Sequence, residues 1–97
     1  MIHVLVAYDV ATDSPAGRRR LRKIAQACQN FGQRVQKSVF ECTVNEMEYE
    51  ELTRQLLKAM NEKEDNLRLY RLAQPKGQFL QVYGIDTFVD FDEPLIL

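Results

Sequence analysis

The sequence predicts an α+β domain, and three observations carry the prediction. Ile2–Asp9 alternates, with Ile2, Val4, Val6 and Tyr8 on one face and His3, Leu5, Ala7 and Asp9 on the other. Both sets are largely apolar, as in a strand covered on both sides. Ser14-Pro15 then starts a helix, with Ser as N-cap and Pro at the first helical position. Leu21, Ile24, Cys28 and Phe31 fall on one stripe of that helix, and Gly32 supplies its stop.

The remaining elements follow in order. Residues 34–44 are β-rich and read as a second strand. Asn45 followed by Glu48 has the spacing of a capping box for a second helix, whose stripe is Tyr49, Leu52, Leu56 and Met60. That helix runs into the charged loop 61–66. Residues 67–72 alternate apolar residues with Arg68 and Arg71 and predict a third strand. The loop Gln74-Pro75-Lys76-Gly77 leads to an expected fourth strand at 79–83 and an extended apolar tail after Gly84. Taken from pattern alone, the order is β-α-β-α-β-β plus a tail.

With 97 residues the chain has room for one domain, spanning 1–97, and for a modest core. No stretch approaches the roughly 20 apolar residues of a membrane span. The start, MIHVLVAYDV, has no basic lead and no small-residue cleavage site, so it reads as a strand and not as a signal peptide. Cys28 and Cys42 make neither a disulfide framework nor a metal-ligand set, and both are expected in the core. A reduced, cytoplasmic protein is the expectation.

Net charge is −1, but it is unevenly spread. Residues 1–40 hold seven Lys and Arg against Asp9 and Asp13, a balance of +5, whereas residues 41–97 hold six against twelve Asp and Glu, a balance of −6. Such a split points to a charged binding face. Arg18, Arg19, Arg20, Arg22 and Lys23 sit close together on the first helix with almost no acidic residue near them in sequence. Unpaired cations repel one another, and the arrangement makes sense opposite phosphate. Asp9 stands where strand one runs out, a place where metal-dependent phosphoryl-transfer enzymes often put a ligand. Mg²⁺ prefers carboxylate oxygen and keeps several waters, so one carboxylate per chain suffices if substrate phosphates complete the shell. The single histidine, His3, has no Asp partner near it in sequence, so serine or cysteine nucleophilic catalysis is not expected. No glycine-rich phosphate loop and no paired-cysteine zinc spacing is present.

Three segments resemble the Cas-two family, the small subunit of CRISPR adaptation. They are Ala7-Tyr8-Asp9-Val10 with the basic run Arg18-Arg19-Arg20-Leu21-Arg22-Lys23-Ile24, then Phe31-Gly32-Gln33-Arg34-Val35-Gln36-Lys37-Ser38-Val39-Phe40-Glu41, then Asp65-Asn66-Leu67-Arg68-Leu69-Tyr70-Arg71-Leu72. The ending Pro94-Leu95-Ile96-Leu97 is also similar. The resemblance implies a ferredoxin-like β-α-β-β-α-β sandwich, with residues 34–44 split into two strands. It implies an extra C-terminal strand, within 85–97, exchanged onto the partner's sheet in a homodimer. It also implies support of spacer acquisition by bridging two dimers of the Cas-one integrase, and an endonuclease acting on RNA or DNA with Mg²⁺ or Mn²⁺. The family's functional positions fall on Tyr8, Asp9, Arg18, Arg20, Arg34, Ser38 and Phe40, of which Asp9 alone is a metal-ligand candidate and the catalytic one. Arg22 joins the nucleic-acid-binding set from the charge run. Two copies of Asp9 are expected to meet across the dimer two-fold. Two other readings stand beside this one. One is a non-catalytic dimeric scaffold that spaces integrase dimers on DNA. The other is an RNA-binding or toxin-type ribonuclease module that shares only the fold. The last is weakened by strand one carrying Tyr8 as its one aromatic.

Overall fold

Local capping chemistry sets both long helices. In the computed structural model, which describes residues 1–73 and 76–86, the Ser14 hydroxyl accepts from the Gly17 N–H at 3.0 Å and Pro15 opens α1 (Pro15–Gln29). At α2 (Glu46–Ala59) the capping box is complete: Glu48 N–H donates to Asn45 Oδ1 at 2.8 Å, and Asn45 N–H donates to the Glu48 carboxylate at 2.9 Å. Each cap satisfies amides that the first helical turn leaves without partners.

The strands are β1 (Ile2–Asp9), β2 (Gly32–Gln36), β3 (Val39–Val44) and β4 (Asn66–Leu72), followed by a four-residue turn of helix, α3 (Lys76–Phe79). They form one sheet in the order β2-β3-β1-β4, with every neighbouring pair antiparallel. β1 and β2 therefore run the same way with β3 between them, the split β-α-β arrangement of a ferredoxin-like fold. The β-rich run 34–44 is thus two strands joined at Lys37-Ser38, as the resemblance implied and alternation did not. A register irregularity between Arg34 and Gln36 sets Arg34 opposite Phe40 but Gln36 opposite Val39, the mark of a β-bulge.

Two expectations need correction. The strand expected at 79–83 does not form: Phe79 closes α3, and residues 80–83 are irregular. Gly32 does not stop α1 either, because the helix ends at Gln29 with Asn30 as its C-cap. Gly32 instead opens β2, where a Cβ would run into the Glu41 carbonyl and Cys42 Sγ of β3. The expected exchanged strand lies mostly outside the described residues; within them, Ile85 and Asp86 are irregular.

Both long helices cover one face of the sheet. Val4, Val6, Phe40, Cys42 and Val44 point into that layer and are at most 2% exposed, as are Ile24, Cys28, Leu52 and Leu56 from the helices. Each fully buried aliphatic or aromatic side chain contributes about 1.5–3 kcal/mol of transfer free energy, which makes this layer the source of the fold's stability. The opposite face carries His3, Leu5 and Ala7 of β1, Thr43 of β3, and Tyr70 and Leu72 of β4. An apolar cavity of about 330 Å³ opens on it, lined by His3, Leu5, Thr43, Leu72, Phe79 and Leu80 among others.

Candidate nucleic-acid and metal site

One end of the sheet gathers the C-terminus of β1, the β2–β3 turn, the start of β4 and the first turns of α1. Asp9 ends β1, is exposed, and pairs in register with Asn66 of β4. Its carboxylate makes no hydrogen bond or ion pair with any described residue. By the alternation of β1, Tyr8 faces the helices while Asp9 belongs to the open face. The expected site is therefore divided between the two sides of the sheet.

On the helix side, Tyr8 is buried and stacks on Phe40, with ring centroids 6.3 Å apart. The Arg34 guanidinium lies over the Phe40 ring at 5.2 Å. The regular register from Gly32 opposite Cys42 to Arg34 opposite Phe40 puts it there, and the bulge that follows turns Gln36 to the other side of the sheet. Burial pushes the Tyr8 hydroxyl above its ordinary range, and Arg34 beside it partly offsets that rise. Phe40 is fully buried and serves the core, so its aromatic face is available only where Arg34 already covers it. Ser38 lies in the β2–β3 turn and not within one continuous strand over 34–44. Its carbonyl accepts from the Tyr8 N–H at 3.1 Å, and the Lys37 carbonyl accepts from the Tyr8 hydroxyl at 3.4 Å. The turn is thereby tied to the residue preceding Asp9, with exposed Lys37 on it.

The basic helix also divides. Arg19, Arg22 and Lys23 are exposed and make no ion pair with a described residue, and Arg18 reaches only the Thr12 carbonyl at 3.3 Å. Arg20 differs. Its guanidinium forms a fork on Asp65, with Nε to Oδ2 at 2.8 Å and Nη2 to Oδ1 at 3.2 Å, and touches Glu64 at 3.3 Å. Its side chain is only 15% exposed, and that of Asp65 is 0%. The expectation that this run lacks acidic neighbours fails for Arg20, whose partner lies 45 residues away in sequence. The Arg20 guanidinium holds the Asp65 carboxyl below its ordinary range against the opposing effect of burial, with the backbone amides of Asn61 and Ala11 adding to the lowering.

Sequence pattern does not mark Arg68 or Lys37 as belonging to this corner. Arg68 is exposed and pairs with Ala7, which places it on the open face as a diagonal neighbour of Asp9, a separation of about 7–8 Å for such pairs. Arg68 donates to the Tyr70 hydroxyl at 3.2 Å. Only strand register reveals this neighbour, and register is not written in a single segment. His3 lies at the other end of β1, about 20 Å away along an extended strand, hydrogen-bonded to Thr43 and set edge-on to Phe79. It is no base for chemistry at Asp9.

Among the described residues no group of three or more His, Cys, Asp or Glu side chains could enclose a metal ion. The donor set at Asp9 is one free, hard carboxylate oxygen donor per chain. That fits Mg²⁺ or Mn²⁺ held with several waters and completed by phosphate oxygens, and does not fit a closed protein cage.

This fold and this corner define a class: small split-β-α-β domains with an exposed carboxylate at the end of their first strand and a cationic helix on the sheet's covered side. The chain belongs to the family described as CRISPR associated protein Cas2, whose model matches residues 1–78. It is 53% identical to the CRISPR-associated endoribonuclease Cas2 1 of Moorella thermoacetica, over 99% of this chain and 100% of that protein. The crystal structure of Streptococcus pyogenes Cas2 at pH 6.5 superposes with a TM-score of 0.75 at 44% identity, over 84% of this chain and 99% of that one. A chain of a partial Cas6-RT-Cas1–Cas2 complex matches over the whole length of both chains, with a TM-score of 0.62 and 25% identity. No described helix is long and apolar enough to cross a membrane.

Proposed function

We propose that the chain acts as a homodimeric, divalent-metal-dependent endonuclease of CRISPR adaptation, one that binds nucleic acid and assembles with Cas1. The observation that carries the reading is the Asp9 carboxylate, exposed and without a partner among the described residues at the end of a buried strand. A relative named as an endoribonuclease and a neighbour found in a complex with Cas1 support the activity and the partner respectively.

Asp9 would hold the ion, and a bound Mg²⁺ or Mn²⁺ supplies Lewis acidity and an activated water at the phosphate. The chain's own residues do the rest. Arg19, Arg22 and Lys23 offer uncommitted cations to the backbone phosphates, and Arg68 offers one on the open face beside Asp9. No side chain of the corner is placed as a nucleophile with a base, so water is the attacking group. A homodimer joined through the open face would cover its apolar cavity and bring two copies of Asp9 toward the two-fold. Two facing carboxylates repel, and a shared cation relieves that repulsion.

Asp9→Asn is nearly isosteric and is expected to abolish cleavage of RNA or DNA while sparing the dimer; unchanged cleavage defeats the reading. Heterodimers of one wild-type and one Asp9→Asn chain test the shared ion. Near-complete inactivity supports it, and half the wild-type rate assigns one independent site to each chain. A second reading is the non-catalytic scaffold bridging Cas1 dimers on DNA. It stands because a dimer could keep the Asp9 carboxylate at this corner without doing chemistry there. Purified wild-type protein that assembles with Cas1 but fails to cleave any probe in Mg²⁺ or Mn²⁺ decides for it.

A further inference from the structure

The Asp65 carboxylate does more than neutralise Arg20. Besides the two bonds from the guanidinium, it accepts from the Ala11 N–H at 3.2 Å and from the Asn61 N–H at 2.9 Å. Four donors from three separate segments thus converge on one fully buried carboxylate: the loop after β1, helix α1, and the loop between α2 and β4. Ala11 is two residues past Asp9, and Asn66, next to Asp65, is the register partner of Asp9. The same stretch of main chain is confined from its other side. Gly17 packs so closely on the Ala11 carbonyl that a Cβ there would overlap it. Ala11, two residues past Asp9, is thus held at its N–H by Asp65, and its C=O packs closely against Gly17 in the first turn of α1.

We infer that Arg20 and Asp65 form a positioning pair that fixes the backbone leaving Asp9, so that Arg20 serves the reaction through Asp65 and not by touching phosphate. The inference rests on the reading of Asp9 as the reactive carboxylate. It reassigns Arg20, which spacing alone groups with Arg18 and Arg22. A guanidinium whose Nε and one Nη are engaged by a buried carboxylate, with only 15% of its side chain exposed, has little left to offer a polyanion. Arg22, two residues further along α1 and so on a different side of the helix, is unpaired among the described residues and has all of its donors free.

The test uses the full-length protein with a mixed-sequence single-stranded RNA as probe and Mn²⁺ as the ion. Arg22→Ala should flatten the dependence of log affinity on log salt by about 0.7, the change expected when one phosphate of a single strand is no longer neutralised. Arg20→Gln should leave that slope unchanged, lower kcat about 10- to 100-fold, as small misplacements of reactive groups do, and leave KM unchanged. Asp65→Asn should behave alike, and the Arg20→Gln, Asp65→Asn double variant should be no worse than the poorer single one, because both act through one ion pair. Arg20→Lys should recover part of kcat, since it keeps the charge but not the fork. A flattened slope for Arg20→Gln, a rise in KM at constant kcat, or multiplying losses in the double variant would overturn the inference.

Amide hydrogen exchange at Ala11 keeps the two readings apart. Protection there should fall at least tenfold in Arg20→Gln and in Asp65→Ala whether or not the protein cleaves RNA, and retained protection removes the clamp. Should Asp9→Asn leave cleavage intact while Ala11 still loses protection in these variants, the catalytic reading fails and the positioning of the loop stands.

Discussion

The two faces of the sheet contain similar side chains in very different circumstances. On the helix-covered face, Val4, Val6, Phe40, Cys42 and Val44 are closed off, and the described residues leave no buried side-chain nitrogen or oxygen without a partner. On the other face, Leu5, Ala7 and Leu72 are only half-covered, Tyr70 is 43% exposed, and an apolar cavity remains open. The first face is complete within one chain. The second has the composition of an interior without, among the described residues, the cover of one, and it carries Asp9 and Arg68 at its end. The difference teaches that folding and function draw on opposite sides of the same strand. Residues of one parity in β1 hold the domain together, and those of the other parity, left partly exposed by the described residues, are the ones the proposed function assigns to a partner and a substrate.

Substitutions on the two faces should therefore separate stability from assembly. The largest effect is expected at Phe40, whose ring is fully buried between Tyr8 and the helices. Phe40→Ala should cost about 3–5 kcal/mol in denaturant unfolding, enough to leave a small domain largely unfolded. A loss below about 1 kcal/mol would show that the covered face is not what holds the fold. On the open face, Leu5→Asp should leave the monomer fold intact by circular dichroism and convert the proposed dimer to monomer in sedimentation. A dimer that survives this change moves the interface elsewhere. Truncation after Gly84 probes the exchanged-strand expectation in the same instrument, and an intact, soluble dimer after that cut would refute it.

A smaller effect should appear at high pH. Burial pushes the Cys28 thiol up to about 12, with the neighbouring Cys42 adding to the rise, and pushes the Cys42 thiol up to about 11, with Glu41 adding to it. The unfolded chain releases these protons near pH 9, whereas the folded chain keeps them. Their contribution to stability is therefore fully present below about pH 9 and drains away as pH rises toward 11–12. The slope of unfolding free energy between about pH 9 and 10.5 should be shallower in a Cys28→Ala, Cys42→Ala variant than in the wild type. Equal slopes would mean that the thiols are not shielded by the covered face.

Much of the fold is open to reading because its determinants are local. Ser14-Pro15 and Asn45 with Glu48 announce helix starts through chemistry that spans three residues, and both caps form as expected. The stripes Ile24 with Cys28 and Leu52 with Leu56 follow from helical period alone. Residues 34–44 are harder. Their turn, Lys37-Ser38, has neither glycine nor proline, and the bulge before it breaks the alternation that would mark two strands. Residues 79–83 look like a strand by composition, but a strand needs a neighbour, and apolar alternation cannot say whether one is present. The site divides along the same line. Asp9 can be found from its place at the end of an apolar run. The commitment of Arg20 to Asp65 cannot, because it depends on an ion pair across 45 residues. Nor can the nearness of Arg68, which depends on the β1–β4 register. The opposite charge of the chain's two halves, which suggests a binding face when averaged, is partly spent within the molecule at this one buried pair.

The close packing of Gly17 on Ala11 has a consequence in time as well as in space. A loop held at the Ala11 amide by a buried carboxylate and packed at the Ala11 carbonyl against Gly17 has little room to swing over Asp9 as a lid. On the proposed function, substrate would meet this loop already in place, with no closing motion of the loop between encounter and commitment. Association should follow one exponential phase whose rate climbs as salt is lowered, set by diffusion in the field of the outer cations and not by any rearrangement of the chain.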